Sequence, residues 1–450
     1  MLKRIISAIL VCAMVVSFTA CSDNNVVRYD DTLPQCEPAN LPDASNFMRQ
    51  CIMKGKEGFY YTDTVMLDNN TATRALCYYD MALGKSIMLC SKPQCMHDGN
   101  DFCVATGGGV YQFYSSLTCL YNGYIYRLGD GSTEEEKWQL SLLKTDLLGN
   151  ELSKVADIGA LTLIGEAPKP QIESAVFHNN KLFVAITPTM NKPETFLYAV
   201  DIASGGVSEI TLPTPEEGTK KANFGTCCYM TADGDWLYYT MRCVKDDSSH
   251  IYFAYDKTIM YRYNIKTGAT EKLSALPDIY SSFTVADGIV YYTVVNTNKN
   301  NFTLYSYDVV NDETTTLAGK VQQNFLKGEQ LSQDEKVTVV TDRKYLYVCT
   351  SGTEGNRYKE SDNSLQDDID FYIYDLEGNQ LLHGLPGIDM TLDSFSYGFS
   401  AIDGEIYLNF SDNDMTSDGV KGLYRIKTEE LVKGNTKWEK LYMLRLISQG

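Results

Sequence analysis

The sequence predicts an all-β fold, a seven-bladed β-propeller, with an eight-bladed ring as the alternative. Three observations predict it. A phrase of turn, aromatic strand, turn and Tyr-x-Tyr-Asp strand recurs seven times from Gly58 to the C-terminus. Its turn markers are spaced by roughly 54 to 65 residues, room for four short strands and one long loop per unit. One unit cannot bury both faces of its own sheet, so neighbours must stack, and seven units close a ring without a long exposed edge.

The first strand of the phrase follows a tight turn. Its copies begin at Gly58-Phe59-Tyr60-Tyr61, Asn122-Gly123, Asn179-Asn180, Asp233-Gly234, Asp287-Gly288, Asp342-Arg343 and Asp403-Gly404. Asn-Gly and Asp-Gly supply the positive φ of a hairpin turn. The aromatic and β-branched residues after them suit a strand covered on both faces. The second strand reads Leu76-Cys77-Tyr78-Tyr79-Asp80, Leu197–Asp201, Met260–Asn264, Leu304–Asp308 and Phe371–Asp375. Leu142–Asp146 and Leu423–Lys427 are degraded copies. The terminal Asp or Asn accepts a hydrogen bond from the backbone two residues on and starts the next turn. With 32 Tyr against 3 Trp, tyrosine is the expected blade-packing residue, its ring buried and its hydroxyl at a rim. Glu439 to Ile447 is a candidate closing strand.

Residues 1–20 read as an export signal. Lys3 and Arg4 precede an apolar stretch, Ile5 to Phe18, that is short for a membrane span. It ends in Phe18-Thr19-Ala20-Cys21, which resembles a bacterial lipoprotein signal and implies lipid on Cys21. An ordinary secretory signal cut after Ala20 is the other reading. Residues 21–50 are polar, acidic and proline-bearing, a tether. Residues 51–450 form one propeller domain with a Cys/His insertion at 89–104. The expected location is the extracytoplasmic face of the cell membrane, with the membrane as a partner through the lipid.

The formal net charge is -19, and removal of Lys3 and Arg4 with the signal makes it more negative. The acids are spread over the chain. That excludes the basic stripe of a nucleic-acid binder and argues against docking on anionic lipid.

One segment carries local chemistry. Cys90-Ser91-Lys92-Pro93-Gln94-Cys95-Met96-His97, then Cys103, places three thiols and an imidazole within fourteen residues. Cys3His is a known four-coordinate set for structural zinc. Disulfides compete in an exported chain, with Cys36, Cys51, Cys77 and Cys119 as further partners. Free thiols are the third state.

Cys90-x-Lys92-Pro93-x-Cys95-x-His97, after a first Tyr-Tyr-Asp hairpin, resembles a group of uncharacterised exported propeller lipoproteins of anaerobic Firmicutes. That resemblance implies a lipid anchor and implies no named activity; an anaerobic host would disfavour disulfides. The vicinal thiols Cys227-Cys228, with the strand phrasing, resemble quinoprotein dehydrogenase propellers, although the tryptophan docking motif of those proteins is missing.

Other motifs are weaker. The stretch Asp412-x-Asp414 to Gly419 lacks the glycine and glutamate of a calcium loop. The four histidines, His97, His178, His250 and His383, are scattered. No Walker loop, nucleophile elbow or zinc-protease helix occurs. The expected function is therefore a binding or scaffolding module for a protein, peptide or glycan. The alternative is a glycan hydrolase or lyase using funnel carboxylates or Tyr, and catalytic residues are not assigned by the sequence.

Overall fold

A computed structural model describes residues 52–66, 72–93, 95, 97, 103–107, 112–131, 137–162, 171–187, 195–221, 229–245, 257–273, 276, 282–296, 301–322, 336–351, 370–388, 399–411 and 421–443. Cys21 and the whole stretch before Ile52 lie outside them, as do Cys227, Cys228 and residues 412–420. The propeller belongs to the compact unit Gln35–Gly450.

Seven antiparallel sheets form the ring, so the eight-bladed alternative does not hold. Blade 1 is Ile52–Lys54, Gly58–Met66, Ala72–Asp80 and Lys85–Met88; blade 2 is Gln112–Tyr121, Tyr124–Asp130, Lys137–Asp146 and Leu152–Thr162. Blade 3 runs from Gln171 to Ile210, blade 4 from Thr219 to Lys272 and blade 5 from Phe283 to Gln322. Blade 6 runs from Lys336 to His383, and blade 7 from Phe399 to Met443. Blade 4 has a fifth strand: Thr219–Lys221 and Met230–Asp233 pair in tandem along the same edge of Trp236–Lys245.

The first strands of neighbouring blades approach one another and line the axis, as Met230–Asp233 does with Gln171–His178 and Phe283–Ala286. Their hairpin turns meet at one end of the ring. Asn122-Gly123, Asp287-Gly288 and Asp403-Gly404 have positive φ at both central residues, the type I′ geometry that matches strand twist. Polar groups then link turn to turn. The Asn122 amide donates to Asn180 Oδ1 at 2.6 Å, and the Gly288 N–H donates to Asp233 Oδ2 at 2.8 Å. Arg343 spans three blades, donating to Asp287 at 3.0 Å and Asp233 at 2.8 Å.

The Asp at the end of each third strand acts as the sequence predicts. Asp80 Oδ1 accepts from the N–H groups of Ala82 and Leu83, and Asp308 Oδ1 from those of Val310 and Asn311. Lys427 has no acceptor to offer. The chain there continues into a short helix, Thr428–Val432, without a side-chain cap.

Blades join through apolar layers. Blades 2 and 3 share Tyr126, Leu128, Phe177 and Leu182; blades 5 and 6 share Phe302, Leu304, Leu346 and Tyr372. Tyrosine fills these layers, but its hydroxyls differ from expectation. Tyr347 and Tyr407 are fully buried, and the Tyr347 hydroxyl donates to Asp342 at 2.6 Å. The Tyr347 and Tyr407 hydroxyls find carboxylates beside the tight turns, Asp342 and Glu405, because an unpaired buried hydroxyl is costly.

Among the described residues, the ring closes without exchanging a strand. Every blade uses consecutive strands, and Glu439–Met443 is the outer strand of blade 7, paired to Lys421–Lys427. Blade 7 meets blade 1 through side chains: Tyr407, Leu423 and Leu441 against Ile52, Phe59, Ala75 and Tyr79. Phe59 and Tyr407 make an edge-to-face pair at 5.4 Å.

Candidate metal centre

The segment after Lys85–Met88 crosses from blade 1 to blade 2. Its folding is local and legible. Pro93 takes the second position of a turn closed by the Cys95 N–H donating to the Lys92 carbonyl at 3.3 Å, a position that the fixed φ of proline favours. That turn brings Cys95 back toward Cys90. His97 has φ +56°, a left-handed conformation uncommon outside glycine that histidine adopts more readily than most residues. A second turn follows, in which the Gly107 N–H donates to the Cys103 carbonyl at 2.7 Å and Gly107 takes φ +81°. The result gathers the four predicted groups. One ligand atom each from Cys90, Cys95, His97 and Cys103 lies within 4.8 Å of all the others.

This spacing suits a metal. Zinc binds thiolates at about 2.3 Å in a tetrahedron, which sets neighbouring sulfurs about 3.8 Å apart. A contraction of less than an ångström or so closes the set. His97 Nδ1 is already 3.2 Å from Cys103 Sγ. An imidazole pointed into a thiol cluster is what a Cys3His centre needs and what a disulfide does not use. Bound there, zinc would hold four protein ligands, the closed arrangement of a structural site.

The thiols are electrostatically unlike. Burial pushes Cys95 up, reinforced by the Cys103 and Cys90 sulfurs, to about 12. At Cys90 burial also acts upward. Hydrogen bonds from the backbone N–H groups of Lys92 and Val104 and from the Cys103 and Cys95 thiols outweigh it, so this thiol sits below its ordinary value. At this range the charged forms of Cys90 and Cys95 oppose one another. A divalent ion reverses that balance, since coordination deprotonates a thiol outright.

Both blades hold the segment. The Leu76 N–H of blade 1 donates to the Ala105 carbonyl at 3.0 Å. The Ser91 N–H donates to the Gly149 carbonyl of blade 2 at 3.0 Å, and the Ser91 hydroxyl donates to Asn150 Oδ1 at 2.7 Å. Gly149 has φ +71°, and a Cβ on it would lie 2.6 Å from the Leu89 carbonyl oxygen. Cys90 packs on Val104, Leu143 and Leu152. The Tyr60 hydroxyl reaches over to the Leu147 carbonyl at 3.1 Å.

Sequence reading missed Arg127. It stands on the second strand of blade 2, Tyr124–Asp130, and is 1 % exposed. Its Nη1 donates to the carbonyls of Val104 at 3.3 Å and Ala105 at 2.8 Å. The one available signal was a cation inside the strand phrase Tyr124-Ile125-Tyr126-Arg127-Leu128, where neighbours are apolar.

The other candidates separate. Cys77 and Cys119 are buried thiols in different apolar layers, blade 7 to blade 1 and blade 2 to blade 3. All described cysteines are thiols. His178 donates to the Gly234 carbonyl at 2.6 Å, and His383 stacks on Tyr372 at 4.4 Å. Among buried acids, Asp233 is held by Arg343, and Glu173 accepts from the hydroxyls of Thr187 and Thr195. Cys36, Cys51, the Cys227-Cys228 pair and His250 lie outside the described residues. A cleft of about 530 Å³ opens between blades 3 and 4, with Phe196, Ile210, Leu212 and Pro215 as apolar lining and Glu209 and Lys221 among its charged groups. No helix among the described residues is long and apolar enough to cross a membrane.

No family model and no curated protein matches this chain in sequence. Solved structures do match in fold. A prolyl endopeptidase aligns at TM-score 0.52 and 11 % identity over 88 % of this chain and 50 % of its own, so the chain spans about half that enzyme's length. The β-propeller domain of the Trilobed protease from Pyrococcus furiosus, which has an open velcro topology, aligns at 0.46 and 14 % over 86 % and 95 %. An oligogalacturonate lyase in complex with manganese aligns at 0.38 and 12 % over 65 % and 70 %. At 11 % identity, the likeness to the prolyl endopeptidase concerns the fold alone.

Proposed function

We propose that this chain is a lipid-anchored propeller on the extracytoplasmic face of a membrane, acting as a binding or scaffolding module. Its Cys3His cluster is a structural zinc site that ties blade 1 to blade 2. The observation that carries the metal reading is the convergence of Cys90, Cys95, His97 and Cys103 on one point from a segment held by both blades. The anchor reading rests on the signal-like sequence ending at Cys21. The binding reading is supported by the cleft at blades 3 and 4, whose size and mixed lining suit a peptide or glycan segment.

Two measurements test this. Full-length chain purified in detergent without oxidant or chelator is assayed for metal and free thiol. About one zinc per chain, lost in Cys95→Ser, is the expected result. Thiols consumed in disulfides without metal would overturn it. Peptide and glycan arrays are then probed with the unaltered chain and with Phe196→Ala. Captured ligand, released by the substitution and chemically unchanged, is expected. Turnover of a bound glycan would replace the binding reading with the hydrolase or lyase alternative.

A further inference from the structure

Blade 4 turns a row of lysines toward blade 3. Cross-strand partners share one face of a sheet. Lys221 stands opposite Cys243, Cys243 opposite Lys257, and Lys272 opposite Tyr261. Cys243 and Tyr261 belong to the apolar layer between blades 3 and 4, together with Ile210 and Leu212, which also line the cleft of about 530 Å³. Lys221, Lys257 and Lys272 therefore lie on the face that borders the cleft. Glu216 answers two of them, accepting from Lys257 at 2.7 Å and from Lys272. Lys221 is half-buried, and its ammonium makes no hydrogen bond or ion pair with the described residues. Glu209 stands opposite Tyr198, which packs on the layer between blades 2 and 3, so its side chain belongs to the other face of blade 3. The blade 4 wall of the cleft is thus positive, in a chain whose formal net charge is -19.

Such a wall recruits a negative group. A cleft lined by one sign of charge focuses its field, and a carboxylate there forms charge-assisted hydrogen bonds with an ammonium. The rest of the lining suits a sugar as the carrier of that carboxylate. Thr211 is exposed at the cleft. The Thr219 hydroxyl donates to the Glu216 carbonyl at 2.7 Å and keeps its lone pairs to accept. Ile210 and Leu212 give an apolar base for the C–H face of a ring. An acidic peptide would be held by adding a strand, and Thr219–Lys221 offers an edge only three residues long. We infer that the cleft binds a carboxylated sugar, with Lys221 Nζ as the anchor of the carboxylate and the Thr211 and Thr219 hydroxyls meeting the ring hydroxyls. The inference rests on the cleft reading above and names the ligand class of that site. A free uronic acid and a unit of an acidic glycan present the same group.

The test is calorimetric titration of the full chain with trimers of mannuronate and of galacturonate, the matching neutral trimers of mannose and galactose, free galacturonic acid, and hexaglutamate. At least one acidic trimer is expected to bind about tenfold or more tightly than its neutral counterpart. Tighter binding of the trimer than of the free acid assigns the site to a glycan chain, and equal binding assigns it to the free acid; both support the inference. Lys221→Gln, which removes the charge, is expected to weaken the acidic trimer about tenfold and leave the neutral one unchanged. Lys221→Arg keeps the charge and should cost about threefold or less. Lys85→Gln, an exposed lysine of blade 1, is the control and should change nothing. Equal binding of acidic and neutral trimers, an unaltered affinity in Lys221→Gln, an equal loss in the Lys85→Gln control, or a preference for hexaglutamate overturns the inference. Should Lys221→Gln not fold, the unaltered chain decides. Binding of the acidic trimer that falls as salt rises, beside neutral binding that does not, supports the anchor, and salt-independent binding of both overturns it. A chain that binds no glycan and no peptide removes the cleft reading itself, an outcome distinct from binding that ignores the carboxylate.

Discussion

Blade 1 is held on its two sides by different chemistry. Toward blade 7 the contact is a side-chain layer, Phe59 on Tyr407 with Leu423 and Leu441, topped by Lys54 donating to Glu405 at 2.8 Å. Toward blade 2 buried side chains such as Tyr60 and Leu76 are joined by hydrogen bonds to the Ala105, Gly149 and Leu147 carbonyls, with a thiol-imidazole cluster on the same segment. The first contact is non-directional and tolerates repacking. The hydrogen bonds of the second are directional and depend on a few atoms. The closing seam is an apolar layer with an ion pair on top, and the segment on the other side of blade 1 is the one with metal-binding chemistry.

The comparison breaks most visibly on the metal side. Chelation, or Cys103→Ala, is expected to remove about 4 kcal/mol of stability when free zinc stands 1,000-fold above its Kd. Thermal unfolding of the loaded chain with and without chelator checks it. Tyr407→Ala should cost about 3 kcal/mol through a cavity at the seam. That loss should be the same with and without chelator, since the seam holds no ligand. A chelator-dependent value would mean that the two sides of blade 1 are coupled.

Gly149→Ala should cost about 2 kcal/mol, because a Cβ there meets Leu89 and φ +71° is strained for alanine. Gly123→Ala is the control. It shares the positive φ but has open space around it, so about 1 kcal/mol is expected. Equal losses in the two variants would show that the segment yields at Gly149.

The smallest effect is a pH dependence of the seam. Burial pushes Glu405 up, but hydrogen bonds from Lys54 and Tyr407 and the charges of Lys54 and Arg425 outweigh it, so its carboxyl is held below the ordinary range. A depressed carboxyl adds stability that is complete above its unfolded value and is lost as pH falls through its folded value. Stability should therefore decline below about pH 4.5 by about 1 kcal/mol from this group, and Lys54→Met should flatten the decline. Acid titration of unfolding in both proteins measures it.

Much of the fold was legible because its signals are local. Asp287-Gly288 declares a type I′ hairpin, and Asp80 or Asp308 declares the next turn, through groups two or three residues away. Lys92-Pro93-x-Cys95 declares the turn that brings two thiols together. The fifth strand of blade 4 was not legible, because Thr219–Lys221 carries no strand pattern of its own and forms by pairing with Trp236–Lys245. The burial of the Tyr347 hydroxyl was not legible, because the Asp342 that receives it is near only once the turn folds over it.

By itself, then, the sequence determined the seven repeats, their hairpins and the three thiols and imidazole on one short segment. Those follow from backbone preferences and side chains that act within a few residues of one another. The tertiary structure decided the rest: closure by Phe59 and Tyr407 across the chain's two ends, Gly149 pressed on Leu89, and Arg127 under the turn of Cys103. Each of these joins residues from different parts of the chain, and burial, which sets the cost of every unpaired charge and hydroxyl, exists only after the blades have stacked.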